Sequence, residues 1–193
     1  GLDGQDQTGP TRLEDLTFTR ADSVALHCLF VSDVTMDELA AMFSTAETWA
    51  DVRADWPAEP ILRYIPGTDS GTFDYFVEAV FDEDQAPILA ASNLELSEDD
   101  NVLVQGILGS PYAIGYFGYA YYAENADRLK LIAVDGGGGC VSPSDETIED
   151  GTYSPLSRPL FVYVSHAALA RPEVRAYAEF MLEEAGSLVP ATG

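Results

Sequence analysis

Short apolar runs alternate with stretches of helical periodicity along this chain, and turn residues separate them. The runs are Val24 to Val31 (V-A-L-H-C-L-F-V), Ile61 to Ile65, Ala113 to Phe117, Leu131 to Val134 and Leu160 to Val164. Each is too short for an ordinary helix and is rich in apolar, β-branched or aromatic residues, so each predicts a buried strand. Helices are predicted between them. Thr35 and Glu38 form a capping-box pattern ahead of Met36 to Phe43. Phe73 to Phe81 follows a Gly/Ser/Thr loop. Ser97 with Asp100 is a second capping signature, for a helix running to about Leu108. An aromatic helix is expected over about Tyr119 to Asn125, and a short one near Asp145 to Glu149. Pro172 suits the first turn of a last helix that ends before Gly186. This alternation predicts an α/β sheet with helices on both faces. Residues 1–15 are polar and Gly-rich, and predict a flexible N-terminal segment. No internal repeat is present.

Composition narrows the function classes. Hydrophobic residues make up 47% of the 193, enough for a core. No stretch approaches the roughly 18 to 20 apolar residues of a membrane span. The start at Gly1, with neither initiator Met nor signal peptide, predicts a mature or trimmed product. Asp and Glu number 33 against 9 Lys and Arg, a formal net charge of −24. Without a basic stripe to neutralise phosphates, nucleic acid is excluded as a partner. The acidic residues are spread among core-forming ones, so disorder is not implied. They read either as a solubilising surface or as a halophile-like adaptation to high salt, where the Debye length falls to about 3 Å at 1 M. Cys28 and Cys140 are compatible with one disulfide or two buried thiols.

Chemistry concentrates in R-Y-I-P-G-T-D-S-G-T-F-D-Y-F, residues 63 to 76. A helix N-terminus carries unpaired N–H groups and about half a positive charge, which together stabilise an anion. Gly71 allows close approach of the backbone to a ligand. Ser70 and Thr72 add hydroxyl donors. Asp69 adds an acceptor, which a protonated phosphate satisfies and a fully ionised anion repels. The structural reading of the same residues is a plain helix cap, with Ser70 capping and Asp69 complementing the dipole. The loop is neither a Walker loop nor a G-x-G-x-x-G turn.

The segment P-G-T-D-S-G-T-F-D-Y-F resembles one found in phosphate-binding proteins of the phosphate ABC importer. Further blocks resemble the same family in the same order: S-E-D-D-N-V-L-V-Q-G-I at 97 to 107, A-I-G-Y-F-G-Y-A-Y-Y at 113 to 122, G-C-V-S-P-S-D-E-T-I at 139 to 148 and P-L-S-R-P-L-F-V-Y-V at 155 to 164. The resemblance covers roughly residues 24 to 186. It implies a periplasmic-binding-protein type II-like lobe, a mixed sheet flanked by helices, over residues 16–193. It also implies phosphate bound by Ser70, Gly71 and Thr72, joined by Asp69 and an arginine. Arg63 and Arg158 are the two candidates for that arginine; the P-G-T insertion sets Arg63 further from Ser70 than in the shorter R-x-D-G-S-G-T form. The match corresponds to the second lobe with its two linking strands. The implied protein is exported, periplasmic or cell-surface anchored, needs no cofactor and performs no reaction. Its implied partners are inorganic phosphate, the membrane permease of an ABC importer, and a first lobe or a second copy of itself.

Other residues carry blander readings. His27 reads as a core residue and His166 as exposed; neither spacing supports a triad with Ser70. The acidic clusters at 82–84 and 98–100 lack a calcium-loop pattern and read as solvated helix starts. Tyr112, Tyr116, Tyr119, Tyr121 and Tyr122 read as core with wet hydroxyl tips. Phe30 and Phe161 would form an apolar patch open to dimerisation if they face a missing lobe. Two alternatives stand beside phosphate binding: a lobe acting as an interaction protein with little phosphate affinity, and a Ser70-dependent hydrolase, for which no base or metal set is seen.

Overall fold

The computed structural model describes residues 17–26, 30–161 and 163–192. In chain order the elements are β1 (Thr17–Leu26), β2 (Asp33–Thr35), α1 (Met36–Met42), β3 (Leu62–Pro66), α2 (Gly71–Phe81), α3 (Ala86–Leu89), β4 (Leu94–Ser97) and α4 (Asp100–Leu108). Then come β5 (Ala113–Gly118), α5 (Tyr119–Ala123), β6 (Lys130–Leu131), β7 (Ala133–Asp135), β8 (Cys140–Val141), α6 (Asp145–Glu149), β9 (Ser157–Phe161) and α7 (Pro172–Thr192). Arg20–Arg158 forms one compact unit; Gly1–Thr19 with Pro159–Gly193 forms a second.

The first unit holds the α/β layers. Its main sheet runs in the order β4-β3-β5-β1-β6, and β9 also pairs with β1. β3 is parallel to β4 and β5, whereas β1 is antiparallel to β5 and β6, so the sheet is mixed. A smaller sheet, β2-β7-β8, stands apart from it. β5 is buried along its whole length, as expected of a central strand covered on both faces. Its side chains alternate: Ile114 and Tyr116 join one core cluster, Phe117 the other. The first cluster takes Leu39 and Met42 from α1 and Phe73, Phe76 and Val77 from α2. The second takes Leu103, Val104 and Ile107 from α4. Helices therefore cover both faces.

Helix positions follow from apolar spacing and caps. Phe73, Phe76 and Val77 recur at i, i+3, i+4 and bury one stripe of α2. Phe76 stacks on Tyr116 with ring centroids 3.8 Å apart, and Phe43 meets both edge-on; burying each such ring stabilises the fold by about 1.5–3 kcal/mol. On the opposite face Gly106 of α4 gives room to Tyr64 of β3, since a Cβ there would collide with the ring. The Thr35–Glu38 capping box forms as the sequence predicts.

Several expectations need correction. β1 begins at Thr17 and ends at Leu26; His27 and Cys28 lie outside the described residues. The helix after Ser97 is capped by Asp99, whose carboxylate accepts from Asn101 N–H, while Ser97 Oγ accepts from Asp99 N–H. The predicted strand 131–134 is two strands, because the chain changes sheets at the buried Ile132: β6 pairs with β1 and β7 with β2. β9 starts earlier than expected, at Ser157. α7 runs through Gly186 to Thr192, since a glycine ends a helix only when it turns left-handed and otherwise costs about 1 kcal/mol. Phe30 is not an open patch but packs edge-on against Trp49 and Trp56; the Phe161 side chain lies outside the described residues. Cys140 is an exposed free thiol, and His166 is exposed.

Candidate functional site

β3 and β4 run parallel, so their carboxyl ends open on the same edge of the sheet, where ligands bind in open α/β folds. The loop leaving β3 is drawn to the end of β4: Gly67 N–H donates to Ser97 O at 3.0 Å. Gly67 is buried under the Glu98 carboxyl, which a Cβ would strike. Ser70 N–H then donates to Gly67 O at 3.0 Å and closes the turn. Ser70 becomes the N-cap of α2, with φ −85° and ψ 129°, and its Oγ accepts from Thr72 N–H at 3.2 Å. The capping role uses a lone pair and leaves the hydroxyl proton able to donate outward. Asp69 and Gly71 are exposed, Ser70 is half-buried and Thr72 is 3% exposed.

The two arginine candidates separate cleanly. Arg63 of β3 does not reach the loop. It is fully buried, and its guanidinium donates to backbone carbonyls: Met42 O at 2.6 Å, Ser92 O at 2.6 Å, Ile61 O at 3.4 Å, and Ala46 O. Two of these acceptors lie at the end of α1 and the turn after it, where helix carbonyls lack intrahelical donors and carry partial negative charge. Burial pulls the Arg63 pKa down to about 10, still well above neutrality. Arg63 is thus a buried strut.

Arg158 does reach the loop. Its Nη2 donates to Gly71 O at 2.9 Å, and its Cζ lies 4.4 Å from the centroid of the Tyr75 ring. Its Nε is buried with no hydrogen-bond partner among the described residues. The segment carrying it is anchored by Tyr153 (1% exposed) and Leu156 (0%) in the core. The Tyr75 hydroxyl donates to the carbonyls of Pro155 and, at 3.2 Å, Ser157. Asp69, Ser70, Gly71 and Arg158 therefore share one exposed helix start, with Thr72 behind them. Tyr75 was not among the sequence candidates; its place four residues after Gly71, on the same helix face, was the only available signal.

The chemistry available is anion binding. A guanidinium beside a helix N-terminus sets two positive groups together, an arrangement that favours a negative guest. Among the described residues, no group of three His, Cys, Asp or Glu could hold a metal ion.

Comparison with known proteins shows the family to which the chain belongs. The family model for a PBP superfamily domain matches residues 24–185. Protein SphX of Synechococcus elongatus is 41% identical over 169 residues, covering 84% of this chain and 49% of that protein. Phosphate-binding protein PstS of Staphylococcus haemolyticus is 36% identical over 167 residues, covering 85% of this chain and 51% of that protein. The crystal structure of a possible phosphate binding protein from Planctomyces limnophilus superposes with a TM-score of 0.75 at 41% identity, over 90% of this chain and 63% of that one. The chain spans about half the length of the curated relatives it matches.

Proposed function

The chain belongs to the PBP superfamily domain family, and on that footing we propose that it binds inorganic phosphate for an ABC-type importer. The observation that carries the reading is the Arg158 guanidinium held at the start of α2, 2.9 Å from Gly71 O. Phosphate oxygens would take hydrogen bonds from Arg158, from the backbone at Gly71 and from the Ser70 and Thr72 hydroxyls. Asp69, exposed beside Ser70, would accept the proton of a protonated phosphate and repel sulfate. Arg63 has no part in this set. Matched relatives named phosphate-binding protein support the choice of anion. The partner is the importer's membrane permease, and the place of work is outside the cytoplasmic membrane, periplasmic or surface-anchored. No helix of the described residues is long and apolar enough to cross a membrane. The role needs no reaction: binding and release suffice.

Calorimetric titration tests this. Phosphate should bind saturably and sulfate much more weakly, and Arg158→Gln should reduce phosphate affinity at least about tenfold, the worth of one charge-assisted bond. A folded protein with no uptake at millimolar phosphate would overturn the reading in favour of an interaction lobe with little affinity.

A further inference from the structure

We propose that Tyr75 is a positioning residue that holds the Arg158 guanidinium at the start of α2; its consequence for phosphate rests on the reading above. Gly71 and Tyr75 lie one helical turn apart on the same face of α2. Arg158 spans that turn, with Nη2 on Gly71 O and Cζ 4.4 Å from the Tyr75 ring centroid. The guanidinium carbon therefore lies over the ring, within cation–π range. At its other end the same side chain donates its hydroxyl proton to Pro155 O and Ser157 O, the carbonyls just before Arg158. One residue thus holds both the backbone that presents the arginine and the position of its charged group. The need for such a device is visible in the arginine itself. A long side chain loses up to about 2 kcal/mol of rotamer freedom when it is ordered. Its charge stands beside a helix end of the same sign, and its Nε is buried with no hydrogen-bond partner among the described residues. Without Tyr75, the bond to Gly71 O would be left to hold it against these costs. Held by Tyr75, it is ordered before the anion arrives, and binding need not order it.

The test compares the intact protein with Tyr75→Phe, Tyr75→Leu, Arg158→Gln and the Tyr75→Leu/Arg158→Gln pair. Phosphate affinity is read by calorimetry, and the Arg158 Nε–Hε resonance by arginine-selective NMR without ligand. The ring face should displace that resonance in the parent and in Tyr75→Phe, and Tyr75→Leu should return it to the position of a free arginine. Tyr75→Leu should weaken phosphate about tenfold, Tyr75→Phe by a smaller factor, and neither loss should recur once Arg158 is Gln. Equal losses with and without Arg158 would overturn the proposal, because Tyr75 would then act through the fold. So would an Arg158 resonance that Tyr75→Leu leaves unmoved. If Tyr75→Leu does not fold, Tyr75→Phe with and without Arg158→Gln decides by the same rule. If the parent takes up no phosphate, the proposed function fails alone, and the resonance still decides whether Tyr75 holds Arg158.

Discussion

Arg63 and Arg158 show what burial does to two residues of one type. Arg63 is closed off from solvent, and its guanidinium is held by carbonyls of the chain itself. Removing it strands those carbonyls in a dry interior, at about 1–3 kcal/mol for each group left unsatisfied. Arg63→Met, which fills similar volume, should therefore destabilise the protein by about 3 kcal/mol or more in urea melts. Phosphate affinity of the remaining folded fraction should stay near the parent value. Arg158→Gln should do the opposite, sparing the melt and losing the anion. A melt unchanged by Arg63→Met would show that its carbonyls find other donors. From sequence the two arginines could not be ranked, since spacing to Ser70 carries no burial. The cap at Ser70 was legible, because it is a local consequence of the loop and the helix start. Arg158 meets Gly71 from 87 residues away, and Tyr75 matters only once Arg158 is there.

Among the elements, α1 carries a charge interaction that sets a pH dependence. Glu38 closes the capping box with Thr35 and takes the Arg53 guanidinium at 2.7 Å; Arg53 in turn reaches Asp33 and lies over the Trp56 ring. The Arg53 hydrogen bond, with help from Thr35, holds the Glu38 carboxyl down from 4.5 to about 2. A carboxylate depressed in the folded state contributes stability above its unfolded pKa, and that contribution fades as pH falls through the window from 4.5 to about 2. Glu38→Gln keeps a capping amide but loses the charge. It should cost up to about 1 kcal/mol at pH 7 after solvent screening, and the gap should close between pH 4.5 and 2 in thermal melts across pH. A gap that stays constant with pH would assign the loss to the cap alone. α1 was legible because Thr35 and Glu38 are three residues apart. α3 and β4 were missed: α3 is four residues long, and β4 is a four-residue edge strand with no buried position and no continuous apolar run. The split at Ile132 was not legible either, since both of its halves are apolar and only pairing partners tell them apart.

At the scale of the whole molecule, a net charge of −24 would face the proposed anionic ligand. Long-range repulsion would slow the approach of phosphate, whereas the proposed bonds to it act over a few ångströms and would be shielded little by salt. Screening should therefore separate the two rates. As ionic strength rises from 0.05 to 1 M, the Debye length falls from more than about 10 Å to about 3 Å. The association rate should rise, by several-fold on the general scale of electrostatic steering. Dissociation, which the proposed site assigns to Arg158 and the loop, should change much less. Stopped-flow measurement at a series of potassium chloride concentrations reads both. An association rate that falls with salt would mean that the local positive field of Arg158 and the α2 N-terminus already governs the approach. The acidic surface would then act on solubility and stability rather than on capture. A rise would place the acidic composition in a functional setting, since the salt that relieves self-repulsion would also open the way to the ligand.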